Sequence, residues 1–295
     1  KALLEDATSG GIEITPSFFD DNVVSFPLLT GELFPRVDLR DLPRGRRIEG
    51  GSVGNPTVTW GEGDNSEVSL FNTADLVGEL NSTVFGCAVA VEVGRDFLSD
   101  AAVDVGTILT ANVEQRLQAE LDRVIANGNG TSEPEGIFTA SGLDTVTPDN
   151  TTTGPPTLAD YLDLLFGIGK QYRNRAFRPT FISNDTSFQR SRAIKVDASG
   201  SDTDQRPVMA PLTQVNEYTT LGWPHAVQND ISNGRCAFGA LARYRLYRRK
   251  GLEIRFVDGG KELARKNLVL LIARARYAGR VMDTDAFVKW TNGQS

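Results

Sequence analysis

Acid–base, nucleophilic and metal chemistry all need histidine, cysteine or carboxylates gathered at close spacing, and this chain offers few of them. Its single histidine, His225, sits beside Trp223 and Pro224 with no nucleophile or ligand set near it in sequence, and reads as a structural or surface residue. Cys87 and Cys236 are far apart and in no metal-like or redox-like spacing, so both read as buried free thiols. Gly128-Asn129-Gly130 could suggest a phosphate loop. It follows a helical pattern rather than opening one, however, and no Gly-Lys-Ser/Thr comes after it. The carboxylate pairs Asp20-Asp21 and Asp202/Asp204 read as solvated charge. A basic and aromatic run, Arg243-Tyr244-Arg245-Leu246-Tyr247-Arg248-Arg249-Lys250, could stack and charge-pair with a single nucleic-acid strand. The favoured alternative is a strand or hairpin whose arginines meet acidic residues of a neighbouring subunit, because Arg and Tyr are enriched in interfaces. No catalytic constellation emerges, and no cofactor or metal is expected.

The elements that carry these residues are easier to read. Val105, Leu109, Val113, Leu117, Leu121, Val124 and Ile125 recur at three-and-four spacing, while Glu114, Gln118, Asp122 and Arg123 are expected on the wet side. This predicts one helix over residues 100–127, roughly 40 Å long. The Asn-Gly pairs at Asn127-Gly128 and Asn129-Gly130 are expected to end it through left-handed backbone. Residues 43–80 read as a long hairpin: Val58/Trp60 and Val68/Leu70 alternate on either side of a Gly-Asp-Asn turn, with too little apolar material for a core. Such an arm needs a neighbour's surface to lie on. Strands are predicted at Cys87 to Val93, at Phe181 to Ser183 and over residues 267–281; the last is apolar on both faces at its start and then shows Arg274 and Arg276. Thr157 and Asp160 form a capping-box start for a helix through Tyr172, with Lys170, Arg173 and Arg175 at its carboxyl end. Asn184 caps a third helix to about Lys195. Residues 1–42 read as an extended arm with a short helix over 17–26, while 139–156 and 197–206 read as polar loops.

Composition excludes some classes. At 295 residues the chain can bury a large core, and 40% hydrophobic with 23% charged residues is ordinary for a globular protein. The longest apolar run, residues 268–273, is far too short for a membrane-spanning helix. A formal charge of −7 makes the chain as a whole repel phosphate.

The order of motifs points to a family. A long helix closing in Asn127-Gly128-Asn129-Gly130 and then Pro134-Glu135-Gly136-Ile137, preceded by Thr8-Ser9-Gly10-Gly11-Ile12, and followed by Leu221-Gly222-Trp223-Pro224, Asn229-Asp230, Phe238-Gly239 to Tyr247 and Asp283 to Trp290, resembles the major capsid proteins of tailed bacteriophages, the Hong Kong phage fold. The resemblance implies an α+β fold in five segments. These are an N-terminal arm (1–42), an extended hairpin or E-loop (43–80), a peripheral domain with a spine helix (81–135), an inserted axial domain (136–266) and a C-terminal peripheral strand (267–295). It further implies a non-enzymatic subunit that assembles into pentamers and hexamers of an icosahedral shell around double-stranded DNA, without sequence-specific binding and without a membrane. The implied partners are copies of itself, a portal, a scaffold segment, a maturation protease and an outer decoration protein, with assembly in the host bacterial cytoplasm. The start at Lys1 fits removal of an amino-terminal segment by that protease.

Some members of the family weld subunits by an isopeptide bond between an E-loop lysine and an asparagine, assisted by a glutamate. Asn267 stands at the matching asparagine, but residues 43–80 contain no lysine and Arg274 occupies the glutamate position, so no cross-links are expected. Assembly candidates are Arg40, Arg44, Arg46 and Arg47 at the hairpin base, Trp60, Glu62 and Asp64 near its tip, Arg243, Arg245, Arg248 and Arg249 in the basic run, and Asn267. A rival within the same fold is an encapsulin-like nanocompartment shell; a rival from another class is a nucleic-acid-binding or hydrolytic enzyme.

Overall fold

A computed structural model describes residues 28, 30–53, 58, 77–100, 104–148, 156–194 and 218–290. The expected helix over 17–26, the loop 197–206 and the hairpin tip with Trp60, Glu62 and Asp64 lie outside these residues. In chain order the elements are β1 (Asp38–Asp41), β2 (Arg47–Val53), β3 (Val77–Thr83), β4 (Phe85–Gly94), α1 (Arg95–Asp100), α2 (Val105–Asn127), β5 (Asp144–Val146), α3 (Leu158–Gly167), β6 (Pro179–Ser183), α4 (Asp185–Arg192), β7 (Thr219–Thr220), β8 (Trp223–Val227), β9 (Cys236–Ala240), β10 (Tyr244–Val257), α5 (Lys261–Lys266), β11 (Leu268–Val281) and β12 (Phe287–Trp290). The mixed helix-and-sheet class expected from the sequence is the one observed.

Three sheets organise the described residues. A four-stranded sheet runs β1-β10-β11-β4, a six-stranded one runs β5-β12-β9-β6-β8-β7, and β2 pairs with β3 alone. In the first, β1 is parallel to β10 and the other pairs are antiparallel. The segment 136–266 thus gives β10 to the four-stranded sheet, and 267–295 gives β12 to the six-stranded one.

Helix α2 lies on one face of the four-stranded sheet. Val113 packs on Leu271 and Ala273, with Leu109, Val89, Leu252 and Ile254 around them. Its last turns reach further: Leu121, Ile125 and Ala126 share one core with Ala275 and Tyr277 of β11, Ile182 of β6 and Phe287 at the start of β12. The carboxyl end of the helix therefore joins the two large sheets. Each leucine-sized side chain buried there contributes about 1.5–3 kcal/mol. A separate cluster under α3 contains Tyr161, Leu164, Phe181, Phe238 and Trp290, with Tyr161 edge-on to Trp290 at 5.1 Å.

Several boundaries differ from the sequence reading, each for a local reason. The long helix begins at Val105, where Asp104 accepts from Thr107 N at 3.2 Å, and residues 95–100 form a helix of their own. At 23 residues the helix is about 35 Å long. Asp144–Val146, expected in a loop, pairs in parallel with β12 at a sheet edge. Helix α3 stops at Gly167, so Lys170 and Arg173 occupy a 3-10 turn and Arg175 a second one, rather than the helix end. The capping box is present as expected, with Thr157 N donating to Asp160 at 2.6 Å. Asn184 caps α4, accepting from Ser187 N at 2.8 Å, although that helix ends at Arg192.

Candidate functional site

The site that distinguishes this molecule is the junction at the end of α2, where the long helix, the two large sheets and the base of the β2–β3 hairpin converge. Its centre is Asp122. Expected on the wet face, it is 1% exposed. Its carboxylate accepts from three consecutive backbone amides, Glu32 N at 3.0 Å, Leu33 N at 3.2 Å and Phe34 N at 2.7 Å. Three donors convert a buried charge from a cost into an anchor for the incoming chain. Burial of the neighbouring Glu32 raises its carboxyl above the usual range. A helical pattern places residue 122 between apolar neighbours without saying what covers it, which is why sequence reasoning missed it.

The turn after the helix works differently from the expectation. Gly128 closes the helix with φ −57°, on the right-handed side; only Gly130, at +71°, is left-handed. Gly128 is required because the chain doubles back on itself: a Cβ there would lie 1.9 Å from Pro134 O, and one at Gly136 would lie 2.4 Å from Gly128 N. The returning strand then satisfies the carbonyls that any helix end leaves open. Gly136 N donates to Gly128 O at 2.8 Å, Ile137 N to Ile125 O at 2.9 Å and Phe138 N to Ala126 O at 2.9 Å. Arg123 braces the turn from the side between Glu120 and Glu133, and Lys289 donates to the carbonyls of Phe138 and Ala140, each at 2.9 Å.

From this junction the hairpin base is held to the body. Arg280 donates to Asn81 O of β3 at 2.8 Å and faces the Glu135 carboxylate at 3.7 Å. Glu135 N in turn donates to Gly279 O at 3.3 Å, and the buried Tyr244 hydroxyl donates to Glu135 O at 2.7 Å. Asn81, Glu135, Gly279 and Arg280, together with Arg47, Ser82 and Thr83, line a polar cleft of about 410 Å³. Beyond it, among the described residues, β2 and β3 pair only with each other, from Arg47↔Thr83 to Val53↔Val77.

The basic run forms the edge of the four-stranded sheet. Acids of a neighbour were the expected partners, but the same chain supplies them at two positions. Arg245 meets Asp38 at 2.9 Å, and Arg248 grips Asp41 with two bonds of 2.7 and 3.1 Å, holding that carboxyl below its usual range. Arg40 also bonds Asp38, at 3.1 Å, while Arg47 reaches Glu49 at 3.6 Å. The Arg243 guanidinium lies 4.7 Å over the Phe177 ring, in a turn preceding the strand. Arg249 is half-buried within β10, and Arg44 and Arg46 are exposed at the hairpin base. Asn267 ends α5 with φ 54° and accepts Arg95 N at 3.0 Å, so its residue type is explained by backbone conformation.

His225 is held between Ser183 Oγ at 2.7 Å and Thr220 Oγ1 at 2.8 Å, stacked on Phe181. A serine hydroxyl on a histidine nitrogen has the outline of a nucleophile–base pair. However, the ring is 1% exposed, Ser183 is fully buried, and burial pushes the imidazole down to about 3. Neither group can reach a substrate in this conformation. Among the described residues, no cluster of His, Cys, Asp or Glu could hold a metal ion, and no helix is long and apolar enough to cross a membrane.

The phage capsid family model matches residues 33–292. The chain belongs to the phage capsid family. It is a structural capsid protein, and its place is in the capsid of the virion. The fold agrees with solved structures. One similar structure is the capsid of a native GTA particle computed with C5 symmetry, at 17% identity and a TM-score of 0.83, covering 99% of this chain and all of that one. Chains of Gordonia phage Cozz (14% identity, TM-score 0.70, 98% and 95% covered) and Mycobacterium phage Bobi (13% identity, TM-score 0.70, both chains fully covered) are also similar. No curated protein matches the sequence. At such identities the likeness carries the fold, and the junction is the part of this capsid protein that the fold shapes most tightly.

Proposed function

We propose that this capsid protein assembles into pentamers and hexamers of an icosahedral head that encloses double-stranded DNA without reading its sequence. The observation that carries the reading is the β2–β3 ribbon, which leaves the body at Arg280 and has no third strand among the described residues. A lone two-stranded ribbon is marginal in water and gains stability by lying on another surface. In this reading residues 43–80 are an E-loop reaching an adjacent copy, with Trp60, Glu62 and Asp64 among its contacts. Residues 81–135 and 267–295 form most of a peripheral lobe, and 136–266 most of an axial lobe near the symmetry axes.

The subunit acts without catalysis and is joined to its neighbours without covalent welds, since 43–80 lacks lysine and position 274 is arginine. Portal, scaffold segment, maturation protease and an outer decoration protein are its expected partners, with assembly in the host cytoplasm. Electron microscopy of the purified full chain tests this: closed shells are expected, and a population of lone monomers at high concentration would contradict it. On a denaturing gel the particles should give a monomer band; a ladder of covalent multimers would overturn the absence of welds.

A further inference from the structure

Helix α2 crosses the four-stranded sheet without filling the space beneath it. Below the middle of the helix the sheet offers small side chains, Cys87 on β4 and Ala273 and Ala275 on β11, while the helix contributes Val113 and Leu117. Between them remains an open-sided, mainly apolar cavity of about 300 Å³. A second hollow of about 190 Å³ shares Cys87, Leu117 and Glu120 with it and continues toward Pro134. Protein interiors are normally packed with few voids larger than a water molecule, and atoms facing a void lose dispersion contacts. Apolar walls give water few partners, so such a space favours an apolar guest.

The rim selects among apolar guests. Arg116 lines it from α2, is exposed, and has no ion pair or side-chain hydrogen bond among the described residues. The other charged group of the rim, Glu120, stands one helical turn further on and is held by Arg123 through bonds of 3.0 and 2.7 Å. The acid is thus engaged within the chain and the base is not. We infer that this cavity is a binding site for a small amphiphile, a medium-chain fatty carboxylate whose tail lies between Val113, Leu117, Ala273 and Ala275 and whose head meets Arg116. Charge sets the head, because a guanidinium meets a carboxylate with two parallel bonds. Volume sets the tail: at roughly 30 Å³ for each water-sized group the cavity takes about ten, the size of decanoate. An apolar pocket of this size with one fixed polar group suits a small ligand. The inference is independent of the proposed shell, since every residue it uses belongs to one subunit.

Cys87 supplies the readout, because it lines both hollows and is half-buried, whereas Cys236 is fully buried. Sodium decanoate is added to the soluble full-length protein, and alkylation of each thiol by iodoacetamide is followed by mass spectrometry. At ten times its half-saturating concentration decanoate should slow alkylation of Cys87 about tenfold, with Cys236 unreactive throughout. Decan-1-ol, which has the tail without the charge, and acetate, which has the charge without the tail, should protect far less. Arg116→Gln, at an exposed helix position, should melt like the wild type and raise the decanoate concentration for half-protection about threefold. No protection of Cys87 would overturn the site. Equal protection by decan-1-ol would also overturn it, because the carboxylate would then have no role. Exposure of Cys236 by decanoate would show denaturation in place of binding and count against the site in the same way. Cys87 sealed in particles but unprotected by decanoate in free subunits would mean that another copy fills the cavity, which would overturn the small-molecule assignment.

Discussion

The two faces of the four-stranded sheet share one backbone and have opposite fates. Along β11 the odd positions Leu271, Ala273 and Ala275 are 1–2% exposed beneath α2, while Arg274 and Arg276 between them stand in solvent. Alternation of period two makes this possible, since each step along a strand crosses the sheet. On the covered face Val113 seals Leu271 and Ala273, while Val89, Leu109, Leu252 and Ile254 are only partly buried and a cavity of about 300 Å³ remains between helix and sheet. The open face carries Lys250 and Arg255, both paired with Glu253, and Arg274 and Arg276, which have no ion pair among the described residues.

Adjacent substitutions separate the two faces. Ala273→Glu places a charge under α2 and should cost several kcal/mol, giving insoluble or unfolded protein in expression and melting assays. Arg274→Gln, one residue away, should stay within about 0.5 kcal/mol of wild type in the same melts. Equal damage from both would erase the distinction. Asp122→Ala probes the junction, where three amides would lose their acceptor; a loss of about 3 kcal/mol or more in urea unfolding is expected, with Asp122→Asn falling between.

A smaller effect comes from His225, whose folded-state value of about 3 lies below the ordinary 6.5. The unfolded chain then binds the extra proton between those values, so this group's contribution is complete above about pH 6.5 and is lost as pH falls toward 3. Its slope is at most about 1.4 kcal/mol per pH unit. Replacing His225 with Asn should flatten the pH dependence of urea unfolding in that window; an unchanged slope would show that the imidazole does not contribute. Smallest of all, Thr157→Ala removes half of the capping box of α3, which packs on the six-stranded sheet, and should lower stability by about 1 kcal/mol without affecting particle formation.

How much of this was legible in the sequence depends on the range of the forces involved. Periodicity located α2, β4, β6 and β11, and side-chain chemistry located the caps at Thr157 and Asn184, because those signals are local. Three features escaped. Asp122 is wet by helical position and dry in the fold, since the segment that covers it lies about 90 residues away in sequence. Gly128 and Gly136 look like turn formers, yet they are small because backbone crowds both, Pro134 O at Gly128 and Gly128 N at Gly136. The acids that meet Arg245 and Arg248 come from β1, over two hundred residues upstream, and no spacing rule links strands paired at that separation.

Cryo-electron microscopy of particles formed by the full-length protein tests the central claim most directly. A closed shell in which the β2–β3 ribbon of each copy lies on a neighbouring copy is the expected result. A closed shell in which each ribbon folds back on its own subunit would contradict it.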